Sequence, residues 1–340
     1  MNTNNREEKY TGNLISVLIP VHQRENYVLE AIESVINNGL DKSRFEIIVI
    51  IDFSNKNLDL EMKAKGVKVI ETDCQSTGDK ISMGIKAAIG EIVVFLDDDD
   101  LFLPGKLEHV LKVFSVAQVT FYHNEKIPVN DKLVKLDYLR PRKTKNKISI
   151  DTSKSGSRKF LRAMDKGASC NHSCMAIRRN SYLPFVDLIS NSKFSIDDVI
   201  FFIGLSTKGL IIVDNDLFTL NRIHSTDSTS RYRGNNVQFI DKFLESEPRF
   251  LKSLEILRFG IQTNAVLKAI DFEIAKRRIT LNIASSKRIF EFSKDDVSNI
   301  LVTTLRTGTK SGFLTILAII IHVINRNLSV KLMQNYFINT

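Results

Sequence analysis

The chain has 340 residues, is 43% hydrophobic and carries a net charge of +9. This length and apolar content exclude a disordered or low-complexity protein and predict one α/β domain of roughly 230 residues plus a smaller appendage. Three widely spread cysteines argue against a disulfide framework and for a reducing compartment.

The first 13 residues, MNTNNREEKYTGN, are polar and lack the apolar core of a signal peptide. They are expected to be a disordered lead-in, and the expected location is cytoplasmic. Residues 14–20, LISVLIP, read as a buried strand stopped by Pro20, with HQREN as a short loop. Asn26 suits the N-cap of a helix whose apolar residues Val28, Ala31, Ile32, Val35 and Ile36 share one face. Residues 45–51, FEIIVII, are a second strand closed by Asp52, and the strand–helix–strand spacing predicts a right-handed crossover with parallel pairing. At that strand end Asp52 can accept hydrogen bonds from a base or ribose, or can simply form an Asx-type turn with Ser54. A shorter strand is expected over 67–71, then a loop and helix over 78–88 with Lys80 near its start.

The next stretch organises the rest. Ile92 to Leu96 is an apolar run of the kind found in buried parallel strands, and it meets four carboxylates, Asp97, Asp98, Asp99 and Asp100. Pro104 suits the first turn of a following helix that repeats Leu107, Val110, Leu111 and Phe114 at helical spacing. The carboxylates therefore fall at the carboxyl end of a central strand, the edge where open α/β sheets bind ligands. Four adjacent acids repel one another, and a Mg²⁺ or Mn²⁺ ion relieves this while keeping positions for phosphate oxygens. A solvated acidic loop is the bland alternative. A calcium loop is disfavoured, since no further ligands recur at its spacing.

Through SVLIPVHQRENYVLEAIESVINN, EIIVIIDFSN and GIKAAIGEIVVFLDDDDLFLPGKLE, the chain resembles the family 2 glycosyltransferases of the GT-A fold. The resemblance implies a Rossmann-like, mostly parallel central sheet flanked by helices over 14–234, and an inverting, metal-dependent sugar transfer. It places the metal and the diphosphate on Asp97 to Asp99, with Asp98 on the nucleotide, and the base on Asp52. The loop after Pro20, with His22 and Arg24, would close over the nucleoside. Two departures stand out. Lys80-Ile81-Ser82 replaces the family's Ala-Arg-Asn, so that Lys80 supplies the positive charge. Ile51-Asp52-Phe53-Ser54 replaces Asp-Asp-Gly-Ser.

From Tyr122 to Phe160 the pattern loosens, and the basic LRPRKTKNKISIDTSKSGSRK reads as a long mobile segment beside the sheet. Cys170, His172 and Cys174 alternate as if on one face of a strand. Structural zinc would need a fourth ligand, so packing is the expected role, with SCMAIR as a strand on the acceptor side. In FSIDDVIFFIGL, residues 194–205, a helix would carry Asp197 and Asp198 in its first turn, where the helix dipole favours negative charge. By the resemblance Asp198 is the catalytic base and Asp197 its supporting acid, whereas plain helix capping explains the same pair without chemistry. Downstream, GLIIVDNDLFTLNRIHSTDSTSRYR contains two strand-like runs and then His224. The resemblance to Tyr-Arg-x-His puts His224 on the metal or diphosphate, and Arg231 and Arg233 are candidates for gripping phosphate.

After Asn235 the resemblance ends and helical patterns dominate through residue 340. From Leu251 to Thr340 there are 13 Lys and Arg against 6 Asp and Glu. This basic tail suits an anionic phospholipid surface, for instance the inner face of the cell membrane, and a solvated helical face explains the same charges equally; nucleic acid competes as a partner, but no nucleic-acid motif accompanies the charge. SGFLTILAIIIHVI, residues 311–324, is too short to span a bilayer. It is read as an interfacial helix, a buried helix or a dimer contact. The expected partners are thus a nucleotide-sugar donor and a glycan or lipid-linked hydroxyl acceptor, with a homo-oligomer through the C-terminal helices as a further option. Two other classes compete. A nucleotidyltransferase would want a Gly-rich phosphate loop that the segment after Pro20 lacks, and a non-catalytic nucleotide-sugar binder would keep the carboxylates without turnover.

Overall fold

The structure, a computed structural model, describes residues 14–22, 25–137, 147–224, 236–285 and 293–338. The lead-in 1–13, Arg24, Arg231 and Arg233 lie outside these residues.

Strands β1 (Ile15–Val21), β2 (Phe45–Ile51), β3 (Lys68–Glu71) and β4 (Ile92–Phe95) pair in parallel, joined by helices α1 (Glu25–Ile36), α2 (Lys56–Ala64) and α3 (Thr77–Ala87). Their near-continuous Val and Ile content follows from burial on both faces. Along β1, Ile15, Val17 and Ile19 pack with α1 and α2 side chains, while Leu18 enters the opposite core with Ile81 and Ile85 of α3. The period of two thus feeds two cores.

The second half adds β5 (Leu101–Phe102), α4 (Lys106–Phe114), β6 (Val119–Val129), β7 (Ile148–Asp151), α5 (Ser157–Met164), β8 (Met175–Arg178), α6 (Arg179–Tyr182), α7 (Val186–Ser192), α8 (Ile196–Ser206) and β9 (Leu210–Arg222). The strand order is β3-β2-β1-β4-β8-β6-β9-β5, with β7 on β9, so β4 is central and its carboxyl end opens among the loops. β8 runs antiparallel between β4 and β6.

Several expectations change here. Residues 122–160 are not one loose segment: β6 runs to Val129 and β7 lies within the basic stretch, paired to β9 through Ile148 and Ile150. The short apolar alternation of β7 was hidden among lysines and serines. The two strand-like runs after Gly209 form a single strand, β9. Register shifts on β6 between His123 and Lys126 absorb the polar Asp214–Asp216 break. Pro104 precedes α4 rather than starting it, because Gly105, at φ 82°, makes the left-handed turn into the helix.

The C-terminal helices are α9 (Asn236–Gly260), α10 (Asn264–Ala284), α11 (Lys294–Thr307), α12 (Lys310–Ile324) and α13 (Arg326–Ile338). Phe243, Leu254 and Leu257 of α9 and Val266, Ile270 and Phe272 of α10 share one core with Ile189 of α7 and Val199 of α8. The tail is built onto the sheet layer rather than hung from it.

Candidate active site

Three groups of side chains meet beyond the carboxyl ends of β1, β2 and β4. The first lies over β1 and β2. Asp52 Oδ2 stands 2.6 Å from His22 Nδ1 and 2.9 Å from Lys80 Nζ, and Lys80 also donates to the Val21 carbonyl at 2.6 Å. Burial alone would raise the Asp52 pKa, but hydrogen bonds from Lys80 and His22 outweigh it and hold the carboxyl below its usual range. Among the described residues no hydrogen bond reaches the buried Asp52 Oδ1, an acceptor left open for a ligand donor. The His22 amide donates to Asp98 Oδ2 at 3.0 Å, tying this group to the carboxylate cluster. Pro20, Asp52, Lys80, His22 and Asp98 are thus brought together.

The second group is the cluster itself. Ligand oxygens of Asp97, Asp99 and Asp100 lie within 4.8 Å of one another. Asp100 is fully buried and accepts from Asn171 Nδ2 (3.1 Å), Asn221 Nδ2 (3.0 Å) and the Arg222 amide (2.9 Å). Burial first, then the nearby Asp97 charge, pushes its pKa up against these bonds. His224 Nε2 stands 3.3 Å from Asp99 Oδ2, and its Nδ1 is held by Asp131. The His224 ring lies 4.8 Å from that of Tyr27, which Arg222 covers from 4.4 Å. The clustered carboxylate oxygens of Asp97, Asp99 and Asp100 fit a Mg²⁺ or Mn²⁺ ion. Asp97 and Asp99 would hold it, with His224 beside Asp99 and with Asp100 also bracing the loop through its three donors.

The third group contains residues that the sequence did not reveal. His172 is not on a strand: residues 172–174 form a 3-10 turn, and β8 begins only at Met175. The turn sets His172 between Asp97 and Asp197. Its Nδ1 lies 2.8 Å from Asp197 Oδ1, and its Nε2 makes an ion-pair contact at 2.8 Å with Asp97 Oδ1. Burial alone would lower the His172 pKa; the Asp97 charge and the bond to Asp197 outweigh it and raise it well above the usual value. Asn171, at φ 68°, donates its amide to Asp197 Oδ2 at 2.8 Å. Both Asp197 oxygens are therefore engaged.

Asp198, beside it in the first turn of α8, differs. Oδ2 accepts from Ser195 Oγ at 2.7 Å and from Arg277 at 2.9 Å. Among the described residues no hydrogen bond reaches Oδ1. Arg277 belongs to α10, and its other nitrogen is paired with Glu247 of α9, one residue before the helix-interior Pro248. Asp197 is the more open of the two, 34% against 12% exposed. Its exposure is offset by its two fixed bonds. No periodicity in the sequence links Arg277 to Asp198, 79 residues away.

A parallel half-sheet whose central strand ends in a carboxylate cluster, with an acidic pair joined to it through His172, defines a glycosyltransferase of the GT-A type. Residues 16–184, about half of the chain, match the family model described as Glycosyl transferase family 2, and the chain belongs to that family. It is 34% identical over 122 residues to an uncharacterized glycosyltransferase of Rickettsia felis, a stretch that is 35% of this chain but only 20% of that relative's length. Among solved structures it is similar to S. aureus TarS 1–349 in complex with UDP-GlcNAc, with TM-score 0.50 and 16% identity over 87% of this chain and 92% of that one. It also resembles the mannosyltransferase PcManGT from Pyrobaculum calidifontis in complex with GDP-Man and Mn²⁺, with TM-score 0.54 and 13% identity over 97% and 86% of the two chains. At such identities these likenesses show the fold, GT-A.

Proposed function

We propose that this chain moves a sugar from a nucleotide-diphosphate sugar to a hydroxyl of a glycan or lipid-linked acceptor, with inversion at the anomeric carbon. The observation that carries the reading is the continuous line from Asp52 through Asp98, Asp97 and His172 to Asp197 and Asp198. It offers a nucleoside side, a diphosphate side and an acceptor side in that order.

The open Oδ1 of Asp52 and the cation of Lys80 bind the nucleoside end. Asp97 and Asp99, with His224 beside them, would hold a divalent ion, which would supply positive charge to the leaving diphosphate. Asp198 Oδ1 takes the acceptor's hydroxyl proton while that oxygen bonds to the anomeric carbon from the face opposite the diphosphate, and the bond from that carbon to the diphosphate oxygen breaks. Ser195 and Arg277 aim the base by holding its other oxygen. Asp197, held by His172, ties the first turn of α8 to the cluster. UDP-GlcNAc and GDP-Man, bound by the similar structures, frame the donors to try first.

The test is turnover and binding of a nucleotide-sugar panel with and without Mn²⁺ or Mg²⁺. Metal-dependent release of one nucleoside diphosphate is expected; absence of binding to any donor would overturn the reading. In the Asp198→Asn variant kcat should drop by about 10²–10⁴ with donor binding retained. Full activity there removes Asp198 from the role.

A further inference from the structure

Helix α12 turns much of its apolar content outward. Its buried side is lined by the small residues Ser311, Gly312, Thr315 and Ala318, and Gly312 sits so close to Thr304 of α11 that a Cβ there would clash with that side chain. Ile316 and Ile319 pack against the core, but five other large apolar residues face outward. Phe313, Leu317, Ile320 and Ile324 are 52%, 42%, 54% and 80% exposed and fall at successive helical steps of four, three and four, with Val323 at 83% beside them. A helix of a water-soluble fold ordinarily shows the reverse. Leu301 and Leu305 of the adjoining α11 and Leu328 of α13 are exposed as well. This is far more than scattered surface leucines account for.

The charges that this part of the chain contributes have one sign, Asp165 being the acid that caps the Lys310 and Ser311 amides at the start of α12. From Val297 to Thr340 the chain has no Asp or Glu but has Arg306, Lys310, Arg326 and Lys331. Arg306, Lys310 and Lys331 are exposed. A second copy docked face to face would bring these cations together uncompensated, because a two-fold contact apposes the same patch on both subunits. A partner that is apolar within and anionic at its rim satisfies both properties. No helix among the described residues is long and apolar enough to cross a membrane, and the 15 residues of α12 rise only about 22 Å. The helix therefore lies on a surface rather than through it.

We propose that the exposed face of α12, with the adjoining apolar residues of α11, docks on an anionic lipid bilayer, Phe313, Ile320, Val323 and Ile324 entering the acyl boundary while Arg306, Lys310 and Lys331 meet the lipid phosphates. This goes beyond the catalytic reading and does not depend on it, since binding is measured without donor or acceptor.

The full chain is sedimented with vesicles of equal parts phosphatidylglycerol and phosphatidylcholine, and with phosphatidylcholine alone. Binding to the first and about tenfold less to the second is expected, with a further several-fold loss when salt is raised to about 0.5 M. Phe313→Ser/Val323→Ser/Ile324→Ser alters only exposed positions. Its thermal melt should match the parent, and its vesicle binding should fall about tenfold or more. A parent chain that stays in the supernatant with both vesicles overturns the proposal. So does a triple variant that folds and binds as well as the parent, or a parent that light scattering finds dimeric with a triple variant that is monomeric and a vesicle affinity equal for both.

Discussion

At the scale of single residues, four adjacent aspartates that look alike in the sequence have separate duties. Asp97 contacts His172, Asp99 contacts His224, Asp98 accepts from the His22 amide, and Asp100 is held by three donors. Substitution should divide them. Asp97→Asn is expected to abolish metal-stimulated turnover with little change in unfolding free energy. Asp100→Ala strands the Asn171, Asn221 and Arg222 donors and should cost about 3 kcal/mol or more of stability in a urea titration. Arg277 touches Asp198 rather than substrate and acts by position. Arg277→Ala should lower kcat about tenfold or more while leaving the donor KM unchanged, and Arg277→Lys should restore part of it. If KM and kcat move together, the guanidinium has another role. The aspartates were legible because an apolar strand cannot end in four charges without a reason. His172 was not, because an alternating Cys-x-His-x-Cys has the same spacing in a strand as in a 3-10 turn entering one. Only the fold puts that imidazole between Asp97 and Asp197.

At the scale of elements, α4 carries a buried lysine under the site. Lys106 Nζ donates to the Ser173 carbonyl and to Thr219 Oγ1, joining α4 to the turn that holds His172 and to β9. Burial lowers its pKa from 10.5 to about 7, with Cys174 and Asp100 opposing the shift. Between those two values the unfolded chain keeps a proton that the folded chain releases, so this group makes stability rise with pH across the window. Relative to the parent, Lys106→Met should show a smaller rise in unfolding free energy between about pH 7 and 9, read by denaturant titrations at each pH. An unchanged slope would mean that the lysine stays protonated in the fold. The strand–helix alternation up to α4 could be read directly, because each parallel strand is apolar throughout and each helix shows one apolar face. β7 and the full length of β9 could not. Both carry polar breaks that bulges and edge pairing accommodate but that a period of two does not reveal.

At the scale of the whole molecule, the C-terminal helices share the core beneath α7 and α8. Burying a large apolar side chain contributes about 1.5–3 kcal/mol, so Phe243, Leu254 and Leu257 together approach the net stability of a domain. A chain ending at Asn235 is therefore expected to lose its cooperative thermal transition; a sharp melt close to that of the full chain would show the first 235 residues to be self-sufficient. The sequence boundary at 234 and 235 marks where the family pattern stops, which is a statement about motifs. Core packing is set by pairs far apart in the chain, and no local pattern reports it.

The clamp of Glu247 and Arg277 on Asp198 has a consequence for anyone recombining this protein. Sugar transferases invite exchange of tails, with a donor half kept and an acceptor half swapped. Here a splice at 234 and 235 would leave Asp198 with Ser195 but without Arg277. A chimera that is to keep the chemistry intact must take α9 and α10 along with the sheet and place its junction after Ser285. The last three helices carry the apolar, cationic face and, among the described residues, none of the groups that meet Asp198, but Ile300, Ala318, Val330 and Met333 join the shared core, so any replacement must supply those contacts.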